Sequence, residues 1–112
     1  MSTAVIGLDI GGSKTQAVRA ENGVVVAEAL AGSANISSVG RDEAGRQLDI
    51  ALGRLGVHDV AAVCAGAAGV ETPAGAATLT ALLAERIPGA RIRVVHDSQL
   101  ILAAAGVRDG VA

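Results

Sequence analysis

The segment Gly7-Leu8-Asp9-Ile10-Gly11-Gly12-Ser13-Lys14-Thr15 runs from an apolar strand directly into a tight turn that contains two glycines. A phosphate group needs several backbone N–H donors close together, and residues without a Cβ allow the backbone to come that near. Ser13 and Thr15 add hydroxyl donors, and Asp9 is suited to hold a hydrated Mg²⁺ ion. The segment therefore predicts a phosphate-binding turn. The alternative is a plain hairpin turn that happens to contain two glycines.

Strand-like segments lie on both sides of this turn. Residues 3–10 form an apolar run, and residues 14–20 alternate between two faces. Asn22-Gly23 precedes the β-branched run Val24–Val26 and is a strong hairpin signal, because both residues accept a positive φ. The first third of the chain is therefore predicted to be a three-stranded meander.

The hydrophobic period then changes to that of helices alternating with buried strands. The predicted elements are a helix from about residue 40 to Leu55, a strand over 59–65, a helix from Thr72-Pro73 to Pro88, a strand over Arg91–Val95 and a helix from Ser98 to about Ala105. The order β-β-β-α-β-α-β-α predicts an α/β fold with a mixed five-stranded sheet and helices packed on it.

Composition narrows the classes of function. The chain has 112 residues, of which 51% are hydrophobic and none is aromatic, with a net charge of −2. No basic stripe is present, which argues against nucleic acid as a partner. No apolar run reaches the roughly 18 residues of a membrane span, and no signal peptide precedes the first strand, so we expect a cytoplasmic protein. Cys64 lies in an apolar run and is predicted to be a small buried hydrophobe.

Three candidate segments follow strands. The glycine turn ends the first strand, Gly66-Ala67-Ala68-Gly69 ends the fourth, and Asp97 ends the fifth. Ligands gather at the carboxyl ends of strands in open α/β sheets, so these segments should converge on one crevice. Asp97 is either the N-cap of the third helix or a carboxylate base that accepts a hydroxyl proton. Asn35 lies in a polar loop that alone indicates little.

Taken together, these segments resemble a known family. The segment Asp9–Thr15 resembles the first phosphate motif of the superfamily that includes actin, heat-shock chaperones and sugar kinases. Ser33–Gly40, Cys64–Gly69 and Val95–Ser98 resemble, in order and spacing, segments of the N-acetylglucosamine and glucosamine kinases of the BadF/BadG/BcrA/BcrD-type ATPase family. The resemblance covers nearly the whole chain. It implies an actin-like ATPase lobe (ribonuclease H-like) and identifies residues 1–112 as the N-terminal lobe, with the C-terminal lobe absent.

The resemblance also implies a function, namely ATP-dependent phosphorylation of an amino sugar with ATP and Mg²⁺ as cofactors. The second phosphate loop and the adenosine pocket would lie beyond Ala112, so the chain alone is expected to be inactive. A face left for the missing lobe favours self-association, for example as a homodimer. The implied site residues are Gly11, Gly12, Ser13, Lys14 and Thr15 for the ATP phosphates, Asn35, Gly66, Ala67 and Asp97 for the sugar, Asp97 as catalytic base, and Asp9 for Mg²⁺ through water.

Four alternatives remain open. The first is a kinase of the bacterial glucokinase and repressor group, which usually carries Asn-Asp where this chain has His96-Asp97. The second is a sugar-responsive regulator of that group, which would need a DNA-binding extension before Met1. The third is an ATPase that activates a dehydratase through an iron–sulfur cluster, for which Cys64 is a poor ligand candidate. The fourth is a non-enzymatic α/β interaction domain.

Overall fold

A computed structural model describes residues 4–67 and 73–95 of the chain, and every structural statement below concerns those residues. Five strands form one sheet in the order β3-β2-β1-β4-β5. The elements are β1 (Ala4–Ile10), β2 (Lys14–Glu21), β3 (Val24–Gly32), α1 (Ile36–Leu55), β4 (Val60–Ala67), α2 (Pro73–Arg86) and β5 (Arg91–Val95).

The first three strands form the predicted antiparallel meander. Asn22 and Gly23 have φ values of 55° and 81°, as a tight hairpin requires. Strand β3 continues to Gly32, well beyond its β-branched start, and pairs with β2 along its whole length. Half of its residues after Val26 are alanine, which has weak strand propensity, so pairing with β2 rather than local sequence sets its length.

The second half of the sheet is parallel. Strand β4 pairs with β1 and β5 pairs with β4, both in parallel, as expected for strands joined through helices. Both described helices pack on the same face of the sheet, where aliphatic side chains of the strands and helices form one core. The largest fully buried side chains are Ile6, Leu8, Ile10, Leu48, Leu79, Leu83, Val63 and Thr15. The prediction of a mixed five-stranded α/β fold is confirmed.

Helix α1 starts earlier than its sequence suggests. Asn35 is its N-cap, so the helix begins at Ile36 rather than near residue 40. Gly40 interrupts it with φ 86° and ψ 167°, a conformation that is essentially restricted to glycine. The helix ends as predicted at Gly56, whose N–H donates to the Leu52 carbonyl at 3.0 Å.

Arg19 joins the antiparallel and parallel halves of the molecule. Its side chain is buried on the core face of β2. Its guanidinium donates to the carbonyls of Gly56 and His58 at 2.7 and 2.9 Å, and to the carboxylate of Glu21 at 3.1 Å. These contacts satisfy the buried charge and fasten the end of α1 to β2.

Two predictions fall outside the described residues, namely the Thr72 cap of α2 and the helix over 98–105. No helix in the described ranges 4–67 and 73–95 combines the length and the apolar character needed to cross a membrane.

Candidate functional site

The turn between β1 and β2 is tight and open to solvent. Ile10 and Thr15 are paired across the two strands, and the Gly11 N–H donates to the Lys14 carbonyl at 2.9 Å. Gly12 and Lys14 are exposed, as is Ser13 between them. The turn thus has hairpin geometry, which fits both a plain hairpin and a turn that binds a phosphate. The two interpretations differ in whether the chain itself requires glycine at these positions.

Neither glycine is required by the chain's own conformation. Gly11 and Gly12 both lie outside the left-handed region, so other residues could adopt their backbone angles. A Cβ at Gly12 would meet nothing within 4 Å, and a Cβ at Gly11 would contact the Lys14 carbonyl oxygen at an ordinary 3.4 Å. The backbone at Gly12 is therefore open to close approach from outside the chain.

Asp9 lies on the face of the sheet opposite the two helices. Its neighbours in register are Gln16 on β2 and Gly66 on β4. Among the described residues none forms an ion pair or hydrogen bond with its carboxylate. A carboxylate with no protein cation beside it could hold a Mg²⁺ ion through water. No group of three or more metal-ligating side chains occurs in residues 4–67 and 73–95.

The loop that precedes α1 is bound to the glycine turn. The Ser33 hydroxyl donates to the Gly11 carbonyl at 2.8 Å, and the Ala34 N–H donates to the Thr15 hydroxyl at 3.1 Å. Ser33 and Ala34 are both buried. The structure therefore brings together two segments that lie apart in the sequence, the glycine turn and the Asn35 loop.

Asn35 has a clear structural role at the start of α1. Its Oδ1 accepts a hydrogen bond from the Ser37 N–H at 3.0 Å, and its carbonyl accepts from Ser38 and Val39. The residue is only 6% exposed. No residue in the described part of the chain accepts a hydrogen bond from its Nδ2. The amide thus uses its oxygen as a helix cap and keeps its donors for another partner.

Thr15 differs from its expected role in one respect. Its side chain is 0% exposed, and its hydroxyl faces the core side of β2, where it accepts from the Ala34 N–H. A hydroxyl turned inward holds the loop in place, so Ser13 is the hydroxyl that remains exposed for a ligand. The alternation of residues 14–20 already placed Thr15 on the same face as Ala17 and Arg19, and that signal indicated its burial. Ser33 carried no such signal and was missed.

The carboxyl ends of the three parallel strands lie side by side. Asp9, Gly66 and Val95 are neighbours in register across β1, β4 and β5. Gly66 and Ala67 are buried, in register with Asp9 and Ile10 at the end of β1. Asp97 follows Val95 and lies outside the described residues, together with Ala68 and Gly69.

Cys64 is buried in β4, in agreement with its predicted role as a small hydrophobe. Burial raises the pKa of its thiol above the ordinary value, and nearby Arg93 lowers it by a smaller amount. A buried thiol with a raised pKa is a poor nucleophile, so Cys64 has no part in the proposed chemistry.

No protein-family model matches this sequence, and no curated protein matches it. Several solved structures match its fold. A protein from Porphyromonas gingivalis assigned as an N-acetylglucosamine kinase is 26% identical, with a TM-score of 0.71, and the match covers 83% of this chain and 34% of that one. Another protein so assigned, from Chromobacterium violaceum, is 20% identical with a TM-score of 0.57 over 85% of this chain and 35% of that one.

A third solved structure is a ROK family glucokinase from Streptomyces griseus in complex with glucose and AMPPNP. It is 21% identical, with a TM-score of 0.62, and the match covers 87% of this chain and 33% of that one. The chain thus spans about a third of the length of each of these three structures. Two of the three are below 25% identity and bear on the fold alone. The chain has the actin-like ATPase fold found in sugar kinases.

Proposed function

We propose that residues 1–112 form the N-terminal lobe of an ATP-dependent hexosamine kinase that phosphorylates N-acetylglucosamine or glucosamine. The observation that carries the proposal is the open turn at Gly12, which has neither a conformational nor a packing reason within the described chain to lack a side chain. The 26% identity to an assigned N-acetylglucosamine kinase over 83% of this chain supports the sugar class. The membership in the BadF/BadG/BcrA/BcrD-type family is part of the same proposal.

The phosphate side of the site rests on the turn. Gly12 and Ser13 offer backbone N–H groups and one exposed hydroxyl, Gly11 adds no side chain that would block approach, and Lys14 adds an exposed ammonium group. Together they would hold the β- and γ-phosphates of ATP by donors that are already in place. Asp9 would hold Mg²⁺ through water. When bound, that ion neutralises charge that develops on the transferred phosphoryl group.

The sugar side rests on Asn35, Gly66, Ala67 and Asp97. The Nδ2 group of Asn35 can donate to a sugar hydroxyl while Oδ1 continues to cap α1. Gly66 and Ala67 are small residues at the end of β4, where they would let a sugar ring come close to the end of the strand. Asp97 would accept the proton of the attacking sugar hydroxyl, whose oxygen then bonds to the γ-phosphorus as the bond to the ADP oxygen breaks.

Substitution of Gly12 tests the proposal. Because a Cβ there meets nothing within 4 Å, Gly12→Ala and Gly12→Val should leave the thermal midpoint of unfolding close to that of the wild type. The added carbon atoms would stand where a phosphate approaches, so we expect Gly12→Ala to weaken Mg-ATP binding at least about tenfold, or 1.4 kcal/mol. Gly12→Val should abolish it. The measurement is isothermal titration calorimetry on the protein with both lobes.

Gly53→Ala is the matched control, since a Cβ at Gly53 also meets nothing within 4 Å and the residue is an exposed position of helix α1 away from the turn. It should leave the affinity for Mg-ATP unchanged. An unchanged affinity in Gly12→Val would reduce the turn to a plain hairpin and remove the basis of the proposed function.

A further inference from the structure

We propose that Ser33 is a positioning residue that orients the Gly12 N–H toward the phosphate, an inference that rests on the proposed function. Ser33 does not touch any group that reacts. It acts through the peptide that joins Gly11 and Gly12, and its contacts define how.

The Ser33 hydroxyl acts both as a hydrogen-bond donor and as an acceptor. It accepts a hydrogen bond from the Asn35 N–H at 3.0 Å and donates to the Gly11 carbonyl at 2.8 Å. Ser33 is only 8% exposed. The rotamer of this buried hydroxyl is therefore fixed from the loop side, and its proton is directed at the glycine turn.

The Gly11 carbonyl and the Gly12 N–H belong to one peptide plane. The described residues contain no cis peptide, and in a planar trans peptide the C=O and N–H groups point in opposite directions. When Ser33 holds the carbonyl on the loop side, the Gly12 N–H is directed away from the loop. No described residue accepts a hydrogen bond from this N–H, which agrees with its being held for a ligand.

A second contact keeps the two segments in register. The buried Thr15 hydroxyl accepts from the Ala34 N–H at 3.1 Å, so the residue next to Ser33 is bound to the residue that ends the turn. The loop thus cannot shift along β2 without loss of both hydrogen bonds. Glycine at positions 11 and 12 leaves the peptide plane free to rotate, and Ser33 supplies the constraint that glycine lacks.

The first test uses the wild-type protein with both lobes and needs no variant. Amide exchange and ¹H–¹⁵N NMR should find the Gly11 N–H protected, because it donates to the Lys14 carbonyl at 2.9 Å, and the Gly12 N–H exchanging freely. Addition of Mg-ATP should shift and protect Gly12 more than any other amide in residues 4–35. If Mg-ATP binds and the Gly12 amide does not respond, the inference is wrong.

The second test compares Ser33→Ala with Thr80→Val in the protein with both lobes. Thr80 also loses a hydroxyl hydrogen bond, the one to the Ala76 carbonyl at 2.8 Å, but it lies on α2 and not in the turn–loop network. We expect Ser33→Ala to raise the KM for ATP about tenfold while the KM for the sugar changes less than threefold. Thr80→Val should leave both unchanged.

The outcomes separate the two claims. Equal rises in both KM values for Ser33→Ala would mean that Ser33 only stabilises the fold, and the inference fails while the kinase proposal stands. A wild-type protein that binds neither Mg-ATP nor a hexosamine overturns the proposed function and this inference with it.

Discussion

Asn35 caps a helix and, under the proposed function, also binds the sugar. Its Oδ1 caps helix α1 through the Ser37 N–H, and its Nδ2 keeps its donors. The two atoms are chemically separable, because aspartate keeps an acceptor at the same position and loses the donor. This property allows the capping role and the proposed sugar contact to be measured independently.

We predict that Asn35→Asp and Asn35→Ala differ in stability but not in sugar binding. Aspartate caps helices about as well as asparagine, so Asn35→Asp should unfold within about 1 kcal/mol of the wild type, whereas Asn35→Ala should lose about 1 kcal/mol or more. Both remove the Nδ2 donors, so both should raise the sugar KM by about 10- to 100-fold, the scale of one unpaired buried polar group. Urea denaturation and sugar kinetics provide the two measurements. A normal sugar KM in Asn35→Asp would restrict Asn35 to its role as a helix cap.

Local chemistry explains which residues the sequence could predict. Asn22 and Gly23 accept positive φ whatever surrounds them, and the hairpin they form was predictable for that reason. Ser33 was not, because its contact with Gly11 spans 22 positions and arises only once β2 and β3 have paired. The hydroxyl of Thr15 shows a conflict of signals, in which the motif indicated a ligand contact and the strand alternation indicated burial.

At the level of elements, two of the three glycines in helix α1 have opposite conformational requirements. Gly40 adopts φ 86° and ψ 167° and breaks the helix after its first turn, while Gly53 is helical and exposed. A Cβ meets nothing within 4 Å at either position, so packing does not distinguish them. Only the backbone conformation distinguishes the two positions, since Gly40 is non-helical and Gly53 is helical.

Alanine at these two positions should therefore change stability in opposite directions. Gly53→Ala should raise the free energy of unfolding by about 0.5–1 kcal/mol, because it removes a flexible residue from a helix interior. Gly40→Ala should lower it by about 1–3 kcal/mol, because the native angles are strained for any residue with a Cβ. Urea denaturation of the two single variants is sufficient. A stabilised Gly40→Ala protein would mean that the break in α1 relaxes at little cost.

The boundaries of elements were predictable where a local signal ends them. Gly56 ends α1 as expected, whereas the start of α1 was predicted too late because Gly40 resembles a helix boundary. The first turn, from Ile36, persists because the loop before it is bound to the glycine turn through Ser33 and Ala34. Similarly, β3 runs past Val26 because β2 offers a partner along its whole length.

For the molecule as a whole, the described helices cover one face of the sheet, and the proposed site lies at the carboxyl ends of β1, β4 and β5. This placement was predictable from the alternation of strands and helices, since parallel strands end at one edge.

The edge strand β3 exposes Val24, Val26 and Leu30, at 62%, 51% and 53%. The Arg54 guanidinium donates to the Leu30 carbonyl and blocks one of the edge acceptors. The expected homodimer stays a prediction.

In the protein with both lobes, Asp97→Asn should lower kcat by about 10²- to 10⁴-fold, the usual contribution of a positioned base, with the thermal midpoint and the KM for ATP little changed. A coupled ADP-release assay measures kcat, with glucose as the competing substrate. An Asp97→Asn protein within threefold of the wild-type kcat would return Asp97 to the role of a helix cap.

Phosphoryl transfer requires groups on both sides of the phosphate chain, and the proposed lobe supplies one side. The 112-residue chain alone, with ATP, Mg²⁺ and N-acetylglucosamine or glucosamine, should therefore show no turnover and at best millimolar affinity for ATP. The same ADP-release assay measures turnover by the chain alone. Turnover at about 1–100 s⁻¹, the ordinary range of kinases, would place a complete active site within these residues and refute the division into lobes.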